Sequence, residues 1–218
     1  MTELEWNEGN EPVWMLDHLR QQNASQRKIR LFTCARARHF WHLLTDVRSR
    51  NAIEVGERFA DGRALEAELN AAGEAAFEAA EVGQNAHTPS AWVAVCAAAP
   101  TDRTDGEGFW AVAWDFLAGS SPAEQDAMEA ASSNEENLIR DIFGNPFRPR
   151  LYNQLWSTPT VVALAREIYE ERAFDQLPIL AVALQDAGCK TAEMLDHCRS
   201  AGPHVRGCWV VDLVLGLA

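Results

Sequence analysis

The chain has none of the short motifs that announce a common catalytic chemistry. It contains no G-x-x-x-x-G-K-[ST] phosphate loop, no G-x-G-x-x-G turn, no H-E-x-x-H and no G-x-S-x-G. Nucleoside triphosphate hydrolysis by a P-loop, dinucleotide binding on a Rossmann turn, and zincin or α/β-hydrolase chemistry therefore have no sequence support. Long apolar runs are also missing: nothing approaches the roughly 18 residues a spanning helix needs. No N-terminal segment pairs a basic region with an apolar one, as a secretory leader would. The five cysteines are an odd number without a tight framework, which fits a reducing cytoplasm better than a disulfide scaffold. Basic residues are in the minority, 19 against 32 acidic, for a net charge of −13. That balance disfavours nucleic acid and anionic membrane as partners, because phosphate binding depends on clustered Lys and Arg.

What is present is helical. At 218 residues, 47% of them hydrophobic and eight of them tryptophan, the chain can bury a substantial core. Helix starts are written clearly: Thr2-x-x-Glu5, Ser25, Thr88-Pro89, Ser121-Pro122-Ala123-Glu124, Ser133-x-x-Glu136 and Thr158-Pro159. Between them, apolar residues recur at helical intervals, as in Ile29, Phe32, Phe40, Leu43 and Leu44, or Val161, Leu164, Ala165, Ile168 and Tyr169. The apolar segment Phe109–Leu117 reads as a further buried helix. The expected fold is all-α, an irregular bundle of antiparallel helices and helical hairpins. It is read as a single domain over 1–218, with 1–99 and 108–218 as alternative subdomains joined by the Asp-, Thr- and Gly-rich loop near 100–107.

The C-terminal quarter carries the densest chemistry. Gly188 follows Ile179, Leu180, Ala183, Leu184 and Ala187 as a helix C-cap, and the last helix is expected from Pro203 to Leu215, with His204 and Cys208 on one face. Val205, Trp209 and Leu213 would form its apolar stripe, sharing a core with Ile168, Ile179, Leu180, Leu184 and Leu195. Cys189, His197 (or Cys198), His204 and Cys208 are residue types that make a tetrahedral zinc site. There is, however, no C-x2-C or H-x3-H pair, and buried cysteines acting as small hydrophobes account for the same residues. A Cys–His nucleophile pair is a third reading, and needs a group to orient the base. Packing is the favoured reading, with no cofactor and zinc as the alternative.

Two other features bear on partners. Arg27, Lys28, Arg30, Arg36, Arg38, Arg48 and Arg50 concentrate positive charge on two helices, with Asp46 the one acid between Arg27 and Arg50. This reads first as a charged helix face balanced by the acidic remainder, and secondarily as a surface for an acidic protein or nucleic acid. The irregular Gly144–Arg150 stretch presents Arg148 and Arg150 as a loop-borne interaction site. The leading functional expectation is a non-enzymatic helical module that binds another protein through Arg36, Arg38, Arg148 and Arg150, with no catalytic residue assigned.

The runs Arg140-Asp141-Ile142-Phe143-Gly144-Asn145-Pro146-Phe147-Arg148-Pro149, Leu177 to Cys189 and Gly202 to Asp212 resemble an uncharacterised helical family found in many paralogous copies in planctomycete bacteria. Arg30-Leu31-Phe32 and Trp41-His42-Leu43-Leu44-Thr45-Asp46 resemble it as well. The likeness covers both ends of the chain and fades between about residues 65 and 130. At Ala181-Val182-Ala183 this chain departs from the family's tendency to place an Asp, so no acidic role carries over to that helix. The resemblance implies a helical fold and no known activity.

Overall fold

The computed structural model describes residues 1–9, 11–83, 88–99, 121–148 and 152–217. The expected helix at Phe109–Leu117, the loop near 100–107, most of the Gly83–His87 break, and Arg150 lie outside the described residues. Among the described residues there are twelve α-helices and no strand, so the fold is all-α. The helices are α1 (Glu3–Glu8), α2 (Pro12–Gln21), α3 (Gln26–His39), α4 (Val47–Ala60), α5 (Glu66–Val82), α6 (Pro89–Ala98), α7 (Pro122–Ser133), α8 (Glu135–Phe143), α9 (Pro159–Glu171), α10 (Leu177–Asp186), α11 (Ala192–Arg199) and α12 (Trp209–Leu215). None is long and apolar enough to cross a membrane.

Local signals explain most of the starts. Thr2 and Glu5 exchange reciprocal side-chain-to-backbone hydrogen bonds, a capping box. Thr88, Ser121 and Thr158 each accept the backbone N–H three residues on, and each precedes a proline at the first helical position. Thr158→Ala should therefore cost about 1 kcal/mol, read as a lower urea midpoint with an unchanged denaturant slope.

The chain divides into two compact units, Met1 with Gly9–Glu136, and Thr2–Glu8 with Asn137–Ala218. The division falls beside Glu136, within α8. In the first unit α3, α4, α5 and α6 pack on one another. A Cβ on Gly56 would lie 2.5 Å from the Ala97 carbonyl oxygen, so glycine is what lets α4 approach the α6 backbone.

Several basic residues of this unit are turned inward: Lys28, Arg30 and Arg36 are buried, and the Arg38 side chain is 24% exposed. Arg36 is buried against Glu135 at 3.1 Å, and desolvation lowers its pKa to about 10. Arg38 grips Glu57 with two hydrogen bonds of 2.6 and 2.8 Å and stacks on Trp41. Arg30 donates to the carbonyls of Ala97 and Ala99 at the end of α6. These cations join helices to one another, as charge-assisted bonds do in a low-dielectric setting.

In the second unit α9, α10, α11 and α12 enclose one core that includes Ile168, Leu180, Leu184, Leu195 and Trp209, with Leu213 partly buried against it. Gly188, at φ +92°, closes α10 as a Schellman turn: its N–H reaches the Gln185 carbonyl and the Cys189 N–H reaches the Leu184 carbonyl. Two expectations fail here. Ile179 is 57% exposed, because the inward stripe of α10 is Leu177, Leu180, Ala181 and Leu184, one residue out of phase with it. The terminal helix begins at Trp209, not Pro203. Gly207, at φ +97°, breaks helical geometry, and the preceding residues bond to a carboxylate from α8 in place of a helix ladder.

Candidate metal centre

Asp141 stands in the last turn of α8, on a helix whose Leu138, Ile139, Ile142 and Phe143 are all buried. It is therefore an acid carried inward by its neighbours. His197 stands in the last turn of α11. His204 belongs to the turn after Pro203, and Cys208 is the N-cap residue just before α12. These four converge within the second unit: one ligand atom from each lies within 4.8 Å of all the others.

Asp141 Oδ1 is 2.7 Å from His204 Nδ1 and 3.1 Å from His197 Nε2, and that same Nε2 is 3.2 Å from Cys208 Sγ. The outer contacts hold the set in place. Asp141 Oδ2 accepts the Val205 N–H at 3.0 Å, and His204 Nε2 donates to the Ser200 carbonyl at 3.2 Å. Asp141 and Cys208 are buried, and the side chains of His197 and His204 are 16% and 7% exposed.

Burial alone would raise the Asp141 pKa, but hydrogen bonds from His197 and His204 outweigh it, so the carboxyl is held below its ordinary range. Burial works against charge on His204 too, and the Asp141 contact reverses it, leaving a raised pKa. Desolvation, reinforced by Asp141, pushes the Cys208 thiol well above its ordinary value. Without a cation beside it this thiol stays protonated, and a protonated thiol is a poor nucleophile.

The arrangement separates two chemistries. In a nucleophile–base–orienter triad the two ring nitrogens of the histidine serve different partners. Here one nitrogen, His197 Nε2, faces both the thiol and the carboxylate, which is how ligands face a shared centre. His204 does serve two partners, Asp141 through Nδ1 and Ser200 through Nε2, but the Ser200 hydroxyl, 3.3 Å away, gives its own proton to the His197 carbonyl at 2.8 Å. Tetrahedral zinc at 2.0–2.3 Å from its ligands sets them roughly 3.3–3.8 Å apart. The contacts of 2.7–3.2 Å, with none of the set beyond 4.8 Å, reach that geometry through small outward shifts. The residues present therefore fit zinc.

Of the four residues named for the zinc alternative, His197, His204 and Cys208 come together and Cys189 is not among them. Cys189 completes the α10 turn with its backbone and lies in the apolar core. Its place is taken by Asp141, which the sequence reading passed over. The available signal was an acid inside the buried pattern Leu138, Ile139, Ile142, Phe143. Arg148 is exposed and paired with Glu3, within the same unit.

Beside the centre lies a cavity of about 350 Å³, lined in part by His197, Trp209, Trp6, Arg140 and Arg148. The Trp209 ring stands 5.3 Å from that of His197. Gly144, at φ +58°, turns the chain beneath it, where an added Cβ would come within 3.1 Å of Trp209 Cγ. No family model, curated protein or solved structure matches the chain.

Proposed function

We propose that the C-terminal unit is a zinc-stabilised helical module and that the protein acts as a non-enzymatic accessory or interaction protein. The observation that carries this reading is the convergence of Asp141 Oδ1, His197 Nε2, His204 Nδ1 and Cys208 Sγ within 4.8 Å. A mixed thiolate, imidazole and carboxylate set suits zinc among the common metals. Four protein ligands make a closed site, the form that structural zinc takes, whereas catalytic zinc keeps one position open. Two of the runs that resemble the planctomycete family, Arg140 to Pro149 and Gly202 to Asp212, supply Asp141, His204 and Cys208.

Metal analysis of protein purified without a histidine tag, with zinc added back to a chelated sample, tests this. About one equivalent per chain is expected, with a melting temperature that falls on chelation, because structural zinc contributes directly to folding. Less than about 0.2 equivalents after zinc addition, with unchanged melting, would end the reading.

A further inference from the structure

We propose that the cavity beside the centre binds a small oxyanion, a carboxylate or phosphate carried on a compact apolar body, and that it does so when the centre is metal-loaded. The inference rests on the zinc reading and deepens it. A histidine that binds metal through Nε2 carries its proton on Nδ1, and that N–H almost always has an acceptor. His204 shows the pattern in mirror image, with its outer nitrogen on the Ser200 carbonyl. For His197, Nε2 faces Asp141 and Cys208, and Nδ1 has no hydrogen-bond partner among the described residues. His197 is also the ligand that lines the cavity. The acceptor that its N–H calls for is therefore placed in the cavity's occupant.

The other lining groups define that occupant. Arg140 and Arg148 bring two guanidiniums to a chain with a net charge of −13. Arg148 commits its Nε to Glu3 and makes no further side-chain hydrogen bond among the described residues, which leaves the planar fork that pairs with carboxylate or phosphate. Trp6 and Trp209 supply apolar wall, and Glu193 is the one acid among the described lining residues, which favours a single compact anionic head over an extended polyanion. A volume of about 350 Å³ stands at the small end of ligand sites, with room for an organic body behind the anion.

The test is calorimetric titration of the zinc-loaded chain, its zinc content measured on the same sample, with benzoate, phenyl phosphate and inorganic phosphate. Benzoate or phenyl phosphate is expected to bind at least about tenfold more tightly than inorganic phosphate, and whichever is tighter names the head group. Arg148→Ala, and separately Asn7→Asp at an exposed lining position, should each weaken binding by about tenfold or more with zinc content and melting unchanged. In ¹⁵N-labelled protein the His197 Nδ1–H resonance should move on titration. A zinc-loaded chain that binds none of the three probes overturns this inference and leaves the metal reading standing. Equal affinity for phenyl and inorganic phosphate, indifference to both variants, or binding that survives chelation undiminished also overturns it. A chain that takes up no zinc defeats the metal reading first and this one with it.

Discussion

Asp141→Ala is expected to abolish metal uptake and to destabilise the protein by about 3–5 kcal/mol, the usual cost of removing one partner from a buried charged network. Asp141 is 2% exposed and holds three groups: His204 Nδ1, His197 Nε2 and the Val205 N–H. Alanine leaves the Val205 N–H without its acceptor and two imidazoles facing an apolar gap, each a desolvation penalty no rearranged water fully repays. It also reduces the four proposed ligands to three. Asp141→Asn separates the two contributions, since an amide still accepts the Val205 N–H but is a weak ligand for zinc. Asparagine should lose the metal while keeping more of the stability than alanine. Urea unfolding followed by circular dichroism, with zinc quantified in parallel, reads both. An alanine variant of unchanged midpoint and full zinc content would show that the carboxylate is not a ligand.

Trp209→Ala should cost roughly 3–5 kcal/mol, as large-to-small substitutions of buried aromatics do. That is a large share of the roughly 5–15 kcal/mol that holds a typical domain together. The side chain is 5% exposed in the C-terminal core, rests over Gly144 and borders the His197 ring. Because Gly144 follows α8, which carries Asp141, and His197 belongs to the candidate set, the cavity left by alanine would loosen two arms of that set as well as the core. The expected result is a lower urea midpoint together with weaker zinc retention against a chelator. A midpoint within error of the parent would make α12 an appendage of the unit and not part of its core.

The helix starts were legible because capping is a local matter: Ser121, Thr88 and Thr158 bond to N–H groups three residues away, within reach of any sequence window. Gly188 was legible for a similar reason, since a left-handed residue at a helix end favours glycine. Ile179 was misplaced because the apolar residues of Leu177–Asp186 cover more than one face, and periodicity cannot say which face the core will take. The basic helices pose a different question. Sequence counts charges, but whether Arg36 meets water or Glu135 is decided by a contact across about a hundred residues.

By itself, then, the sequence determined an all-α chain, the starts of most of its helices and the want of common catalytic motifs, and it offered three residues of the candidate centre as an alternative to plain packing. Those properties follow from backbone and side-chain preferences that act over three or four residues. Tertiary structure alone decided that Asp141 and not Cys189 completes the set, and that the stretch from Pro203 stays unwound so that His204 and Val205 can reach it. Asp141 and His204 are 63 positions apart, and their contact exists because the burial of Leu138, Ile139, Ile142 and Phe143 carries the acid inward. Once inside, a carboxylate must find donors or a cation, and it takes them from the turn that would otherwise have been the first turns of a helix.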